Sequence, residues 1–313
     1  GSRSRRACTA GRGRRRWRND VHRVGSQPPV RDPLPRTWCG LGLLDLDRRV
    51  IVHCGSQCNP PAPRPNSRVM PACTGRRIMI KVDVYRYDPE KDASPYMQSL
   101  SLPEGFRDRM VLDAMEYLRE KDPTLSYRRS CREGVCGSDG MNINGKNGLA
   151  CTTPVAEATG TSNCLIVRPL PGMPVIRDLV VDQTLFFEQY ERVKPWLINH
   201  AAPPAIERRQ SEEERKELDG LYECILCGCC TSQCPSWWWN PERYLGPAAL
   251  LQSLRFLVDS RDHARTERLN DLKDPFSLFR CRSIGNCSWV CPKGLDPMGA
   301  IGRIRRELVR EST

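Results

Sequence analysis

Twelve of the chain's 17 cysteines fall into three tight groups, and their spacing limits the possible folds more than any other feature. The segment from Cys224 to Pro235 has the spacing C-x₂-C-x₂-C-x₃-C-P. This spacing is typical of bacterial proteins with two iron–sulfur clusters, in which the fourth cysteine binds the other cluster of the pair. A second copy of the motif should therefore follow in the chain.

The second copy runs from Cys281 to Pro292 and lacks one cysteine, because Ile284 occupies the second position. The crossing rule predicts a [4Fe–4S] cluster on one set of four thiols and leaves three thiols for the other site. Isoleucine cannot bind iron, so we expect a [3Fe–4S] cluster there, with a relatively high potential. The predicted ligands are Cys224, Cys227, Cys230 and Cys291 for the first cluster, and Cys234, Cys281 and Cys287 for the second.

The remaining group has the spacing C-x₄-C-x₂-D and is followed by a further cysteine. Plant-type [2Fe–2S] proteins use C-x₄-C-x₂-C and a distant fourth cysteine. Asp139 stands at the third cysteine position, where it is either a ligand or a loop aspartate bonded to the backbone. The candidate [2Fe–2S] ligands are Cys131, Cys136, Asp139 and Cys151.

Two cysteines of these groups fit no ligand spacing. Cys164 falls in a predicted strand and Cys229 is out of register, so we expect both to be buried as small apolar side chains. Zinc is an alternative for the clustered cysteines, but it needs sets of four ligands and the crossover leaves three. Disulfides are typical of short secreted chains, so we expect free thiols in a reducing compartment.

The net charge of +12 does not indicate a nucleic-acid-binding domain. Residues 1–76 hold 16 arginines, no lysine and four acidic residues, which accounts for the whole excess. Residues 77–313 are balanced, whereas nucleic-acid binding needs a basic surface on a folded domain. We therefore predict no nucleic-acid partner. No apolar run is long enough to cross a bilayer.

The chain divides into three segments. Residues 1–76 are rich in Arg and Pro and show no periodicity, so we expect disorder or a spurious extension, with the true start near Met70. Residues 77–180 should form a [2Fe–2S] domain, and residues 181–313 a helical domain with two clusters.

Hydrophobic periodicity predicts the main elements. Ile78, Ile80, Val82 and Val84 alternate as in a half-buried strand, and Cys164–Val167 predicts another strand. One helix should bury Met110, Ala114, Met115 and Leu118 and end before Asp122. A second should start near Pro247 and bury Leu250, Leu251, Leu254 and Leu257 or Val258. A third should bury Ile301, Ile304 and Leu308, and a solvated helix is expected between Ala202 and Asp219.

Across residues 77–313 the chain resembles the iron–sulfur subunit of succinate dehydrogenase. This resemblance implies an α+β fold, with an N-terminal β-grasp [2Fe–2S] ferredoxin-like domain followed by an all-α ferredoxin-like domain with two clusters. Bacterial members carry Asp at the Asp139 position, which favours iron ligation there. The matching segments are Ser130–Gly140, Asn142–Gly145, Arg168–Gly172, Pro174–Asp182 and Phe279–Cys281.

The resemblance implies an electron-transfer subunit of succinate:quinone oxidoreductase with no catalytic residue of its own. Its flavoprotein partner would carry FAD and oxidise succinate, and the electrons would reach a membrane quinone. Membrane-anchor subunits of the cytochrome b type, with heme b in many members, would hold it. The expected location is the cytoplasmic face of a bacterial inner membrane, or alternatively the matrix side of the mitochondrial inner membrane.

The family's quinone pocket lies beside the three-iron cluster. By position, Pro235, Ser236, Trp239 and Ile284 would contribute to it. Arg282 stands where the family commonly has His, and its permanent charge cannot shuttle protons near neutral pH. We expect Trp237 and Trp238 to fill a subunit interface or a membrane-surface belt.

Three alternative functions stay open. A quinol:fumarate reductase subunit would run the reaction in reverse, although those relatives commonly carry Cys at the Asp139 position. A zinc-bound nucleic-acid module could use the Arg-rich start, and zinc without acid-labile sulfide would support it. A freely diffusing ferredoxin would not copurify with a flavoprotein.

Overall fold

The computed structural model describes residues 79–312. The predictions for residues 1–76, and for Ile78 in the first strand, lie outside this range. Within it, a mixed sheet with short helices comes first, and after Val181 the chain forms only helices and loops. The fold confirms the predicted α+β class.

The first part of the described chain carries all its strands. In chain order the elements are β1 (Ile80–Arg86), β2 (Tyr96–Leu102), a 3₁₀ turn (Glu104–Phe106), α1 (Val111–Lys121), β3 (Gly140–Ile143), β4 (Lys146–Leu149), α2 (Val155–Thr159), β5 (Cys164–Arg168), β6 (Val175–Arg177) and β7 (Val180–Val181).

The main sheet has the strand order β2-β1-β5-β3-β4. β1 pairs antiparallel with β2 and parallel with β5, and β3 pairs antiparallel with both β4 and β5. Ile80, Val82 and Val84 are buried as predicted, because alternate side chains of a strand point to the same face. A separate pair, β6 and β7, follows the sheet.

Helix α1 buries Ala114, Met115 and Leu118 as predicted. The prediction for Met110 is wrong, because the helix begins one residue later and Met110 is its 37% exposed N-cap. The backbone N–H of Met110 donates to the Asp113 carboxylate at 3.1 Å, which satisfies one amide at the start of the helix.

The second part is helical. Its elements are α3 (Thr184–Arg192), α4 (Glu212–Lys216), α5 (Cys229–Ser232), α6 (Pro235–Trp239), α7 (Gly246–Leu257), α8 (Arg265–Asn270), α9 (Asn286–Trp289) and α10 (Pro297–Ser312).

Helix α7 is the centre of this part. Its residues are buried on every side except at Arg255, so it lacks the solvent face that an amphipathic pattern predicts. α10 packs along it and buries Ile301, Ile304 and Leu308 as predicted. α4 buries no residue and begins with a reciprocal Ser211–Glu214 cap, which confirms the predicted solvated helix.

A buried amide joins the sheet to the helical part. Asn147 on β4 is 0% exposed and donates to the Cys229 carbonyl at 3.1 Å and to the Ser232 hydroxyl at 2.8 Å. The two parts share one hydrophobic core, and the domain boundary near residue 180 stays a prediction. None of the helices in residues 79–312 is long and apolar enough to span a membrane.

Candidate metal centres

The loop after Arg129 holds the Cys131 sulfur in a ring of backbone amides. The N–H groups of Glu133, Val135 and Cys136 lie 3.5, 3.4 and 3.2 Å from Cys131 Sγ. These donors lower the pKa of the Cys131 thiol to about 7, because they stabilise the thiolate. The loop is therefore prepared for a thiolate ligand before any metal is added.

Asp139 and Cys151 lie next to each other at the buried side of this loop. Asp139 Oδ2 accepts a hydrogen bond from the Cys151 backbone N–H at 2.6 Å, whereas its Oδ1 is buried without a partner among the described residues. Burial, and then the neighbouring Asp139 carboxylate and Cys131, together raise the pKa of the Cys151 thiol to about 12. The structure thus brings Cys131, Asp139 and Cys151 together. The Cys136 sulfur accepts a hydrogen bond from the Cys131 backbone N–H at 3.5 Å, so it lies beside the same loop.

A small cavity collects four thiols of the second and third groups. They are Cys224, Cys227, Cys230 and Cys291. Most other lining residues are apolar, including Leu226, Ala248 and Leu251. Cys234 does not line this cavity, although it belongs to the same run of sequence as the first three thiols.

A second small cavity is lined by Cys234, Cys281 and Cys287 together with Ile284. The exchange of Cys234 and Cys291 between the two cavities is the crossing that the spacing predicts. We call these two spaces the four-thiol cavity and the three-thiol cavity.

The two motifs share one backbone conformation. Leu226 and Gly228 have φ angles of 53° and 77°, and Ser283 and Gly285 have φ angles of 55° and 89°. A single-turn helix follows each, α5 after Gly228 and α9 after Gly285. Ile284 therefore occupies the place that Cys227 has in the first copy, with an apolar side chain where a thiol would stand.

The thiols in both cavities are crowded. Burial raises the pKa of the Cys230 thiol well above its ordinary value. The other three thiols of the four-thiol cavity raise it too, and so does Cys287 of the three-thiol cavity. In the three-thiol cavity, burial and then Cys234 raise the pKa of Cys287 to about 11. Such groups deprotonate only when positive charge enters among them, which is what a metal centre supplies.

The geometry does not suit a single ion. Zinc binds thiolates at about 2.3 Å, so the sulfurs around one zinc lie within about 4 Å of each other. Within residues 79–312, no three Cys, His, Asp or Glu side chains converge closely enough to hold one metal ion. The thiols surround spaces instead, which fits clusters in which each thiolate binds a different iron.

The loops of the first two centres touch along their backbones. A Cβ added at Gly137 would lie 2.9 Å from both Cys227 Cβ and the Ile225 carbonyl oxygen, and one at Gly140 would lie 2.9 Å from the Cys227 carbonyl oxygen. Real Cβ atoms do not approach so closely. Glycine at both positions therefore lets the [2Fe–2S] loop lie directly against the wall of the four-thiol cavity.

Four of the five residues predicted to contact quinone line the three-thiol cavity. They are Pro235, Ser236, Arg282 and Ile284. Arg282 and Ile284 are exposed, whereas Ser236 is 2% exposed and its hydroxyl has no partner among the described residues. Trp239 lies at the end of α6 with 69% of its surface exposed.

The three adjacent tryptophans have different environments. Trp237 is 2% exposed and donates its indole N–H to Gln189 at 2.8 Å, so it belongs to the chain's own core. The prediction of an interface or membrane-surface role for Trp237 is wrong, because Gln189 of α3 binds its indole N–H within the chain's own core. Trp238 is 40% exposed, although its indole N–H is bonded to the Ser232 carbonyl at 2.7 Å.

The two spare cysteines also differ. Cys229 is fully buried as predicted, beneath Gly140. Cys164 is only partly buried, so that prediction is wrong. It is the first residue of β5, and the alternation of that strand puts Leu165 and Val167 into the core and Cys164 on the other face.

Tyr244 is a residue of this site that sequence reasoning missed. It lines the three-thiol cavity, is 0% exposed, and its hydroxyl has no hydrogen-bond partner among the described residues. Burial and the thiols of Cys281, Cys234 and Cys287 raise the pKa of this hydroxyl far above its usual range. Nothing in the spacing around Tyr244 signals this role, since it depends on the path of the chain between α6 and α7.

Two family models match the chain. A 2Fe-2S iron-sulfur cluster binding domain matches residues 81–188, and a 4Fe-4S dicluster domain matches residues 223–296. The first range contains the loop of Cys131 and Asp139, and the second contains all the thiols of the two cavities.

Sequence relatives share a common description. The succinate dehydrogenase iron-sulfur subunit of Coxiella burnetii is 55% identical over 230 residues, covering 73% of this chain and 97% of that protein. The corresponding subunit of Paracoccus denitrificans is 48% identical over 243 residues, covering 77% and 93%. The mitochondrial iron-sulfur subunit 1 of rice succinate dehydrogenase is 49% identical over 227 residues, covering 71% and 80%.

A solved structure has the same fold. A chain of the Mycobacterium smegmatis Sdh1 complex in the apo form superposes with a TM-score of 0.64 at 24% identity, covering 75% of this chain and 97% of that chain.

Proposed function

Because this chain belongs to the family of succinate dehydrogenase iron–sulfur subunits, which transfer electrons in that complex, we propose a specific three-centre relay for it. Electrons from a flavoprotein partner would pass through [2Fe–2S], [4Fe–4S] and [3Fe–4S] clusters to membrane quinone. When bound, the clusters supply one-electron oxidation and reduction; the residues of this chain hold them, set their spacing and exclude water.

The observation that carries this proposal is the difference between the two cavities. Cys224, Cys227, Cys230 and Cys291 would hold the [4Fe–4S] cluster, one thiolate for each iron. Cys234, Cys281 and Cys287 would hold three irons, and the side chain of Ile284 stands where a fourth ligand is needed. This pairing of a complete and an incomplete thiol set supports two cluster types of different potential.

The contact between the loops supports the order of the relay. Gly137 and Gly140 leave no side chain between the [2Fe–2S] loop and the four-thiol cavity. At the other face of that loop, Val135 is 59% exposed and Cys136 is exposed, as expected where electrons enter from the FAD of a partner subunit.

We propose Asp139 as a ligand of the [2Fe–2S] cluster beside Cys131, Cys136 and Cys151. Its two oxygens allow both roles that the sequence leaves open, since Oδ2 accepts a backbone hydrogen bond and the unpartnered Oδ1 remains for iron. Asp139→Cys should keep the cluster but shift the g-values of its reduced electron paramagnetic resonance (EPR) signal, because sulfur donates more electron density than oxygen. Asp139→Asn is the control that keeps an acceptor oxygen without the charge. Unchanged g-values in the cysteine variant would reject ligation.

For the electron exit we propose Pro235, Ser236, Trp239, Ile284 and Arg282 as the quinone-facing residues. Trp239 and Ile284 present exposed apolar surface, and no hydrogen bond of the Trp239 indole N–H is formed within the described residues. Arg282 supplies a fixed positive charge beside the cavity and cannot exchange protons with quinone.

The remaining partners follow from the same proposal. Membrane-anchor subunits of the cytochrome b type, with heme b where the complex has it, would cover the exposed Trp239 and Ile284. The chain would lie peripherally on the cytoplasmic face of a bacterial inner membrane, or alternatively on the matrix side of the mitochondrial inner membrane.

Low-temperature EPR of the intact complex tests the function. The oxidised complex should give the signal of a three-iron centre, and reduction should replace it with [2Fe–2S] and [4Fe–4S] signals. Zinc without acid-labile sulfide would instead support a zinc module and end this proposal. Potentials of all three clusters low enough for a low-potential quinol would favour a fumarate reductase, and failure to copurify with a flavoprotein would favour a diffusible ferredoxin.

A further inference from the structure

The two cavities differ in polar lining as well as in the number of thiols. Cys234, Pro235 and Ser236 in the three-thiol cavity correspond to Cys291, Pro292 and Lys293 in the four-thiol cavity. No hydroxyl group lines the four-thiol cavity within the described residues. Two buried hydroxyls without partners, those of Ser236 and Tyr244, belong to residues that line the three-thiol cavity.

Tyr244 is held rigidly in place. Its backbone N–H donates to the Asn240 carbonyl at 3.0 Å, and its own carbonyl accepts from the Gln189 side chain at 3.1 Å. The ring is 0% exposed, so the hydroxyl cannot turn out to water. A buried hydroxyl without a hydrogen-bond partner is unfavourable, and such groups in native proteins usually face a ligand or a water.

We propose that the Tyr244 hydroxyl donates a hydrogen bond to a sulfur of the centre held by Cys234, Cys281 and Cys287 and thereby raises its reduction potential. This inference rests on the proposed function, since it presupposes a three-iron cluster in that cavity. Reduction adds one negative charge to the cluster, so a donor stabilises the reduced form more than the oxidised form. Tyr244 thus tunes the reduction potential of this centre and widens the difference in potential between the two neighbouring centres.

The test is a redox titration of the intact complex, in which the EPR signal of the oxidised three-iron centre is measured at each potential. Tyr244→Phe removes one oxygen and keeps the ring. It should shift the reduction equilibrium of this centre about tenfold toward the oxidised form, which for one electron is about 59 mV. The [2Fe–2S] and [4Fe–4S] midpoints should not move. Tyr222→Phe is the matched control, because Tyr222 is 42% exposed and lines neither cavity.

A second measurement needs no substitution, and it should shift the midpoint potential in the opposite direction. Incorporation of 3-fluorotyrosine makes the phenol a stronger donor, so it should raise the midpoint of the three-iron centre in the complex with Tyr244 present. An unchanged midpoint in Tyr244→Phe, or with fluorotyrosine where the variant does not assemble, overturns the inference. If the unmodified complex gives no three-iron signal, the proposed function itself fails, which is a separate result.

Discussion

Replacing Cys234 with alanine should remove the three-iron centre and leave the four-iron centre intact. Cys234 belongs by sequence to the run that supplies the four-thiol cavity, but its side chain lines the three-thiol cavity. The variant would leave only Cys281 and Cys287 there, too few to hold a cluster. EPR of the oxidised complex should lose its signal, while the reduced [4Fe–4S] signal persists.

The expected effect is large. Changing an outer partner of a metal ligand costs about 10–100-fold in affinity or activity, so loss of a ligand should lower quinone reduction by at least about 100-fold. Binding of a structural metal contributes on the order of 10 kcal/mol to folding, so the helical part should also unfold at lower temperature. Differential scanning calorimetry of the complex measures this second effect.

Cys229→Ala is the matched control for Cys234→Ala. Cys229 is a fully buried cysteine of the same run that lines neither cavity. Its removal should cost about 1 kcal/mol in packing and leave both clusters in place. Loss of the four-iron signal in Cys234→Ala, with the three-iron signal retained, would contradict the crossing.

Replacing Ile284 with cysteine should convert the three-iron centre to a second [4Fe–4S] cluster. The backbone on either side already has the conformation found around Cys227, so the new thiol would stand where a ligand stands in the first motif. Ile284 is 50% exposed, so little packing is lost. The EPR signal of the oxidised complex should disappear.

The added thiolate should also lower the potential of this centre. Cluster type and charge spread iron–sulfur potentials over about 1 V, and we expect a fall of more than about 100 mV and correspondingly slower quinone reduction. Ile284→Val is the control, which should keep the three-iron signal and the midpoint of this centre. Persistence of that signal in the cysteine variant would show that something other than the missing thiol prevents a fourth iron.

The sequence groups the thiols as the two cavities do, because ligand spacing is a local property of the chain. That these thiols bind clusters stays a prediction. The exchange of Cys234 and Cys291 followed from a rule about short loops, and the geometry of the two cavities agrees with it. The burial of Val82 and Val84 could be predicted equally well, since an apolar period of two is typical of a strand with one buried face.

The errors share a different cause. Whether Met110 caps a helix or lies on its buried face depends on where the first turn begins, which hydrophobic periodicity locates only to within a few residues. Trp237 is covered by Gln189 from a distant helix, and no local pattern announces such a partner. The role proposed for Tyr244 likewise arises only when α6, α7 and the second motif come together.

The glycines at 137 and 140 carry a consequence for how such a chain can be rebuilt. Since neither position has room for a methyl group against Cys227, the two halves are shaped to each other atom by atom. A chimera that joins this sheet to another protein's helical part would fit only if that part presents the same backbone surface to the Gly137–Gly140 loop. The two parts therefore cannot be exchanged independently of each other.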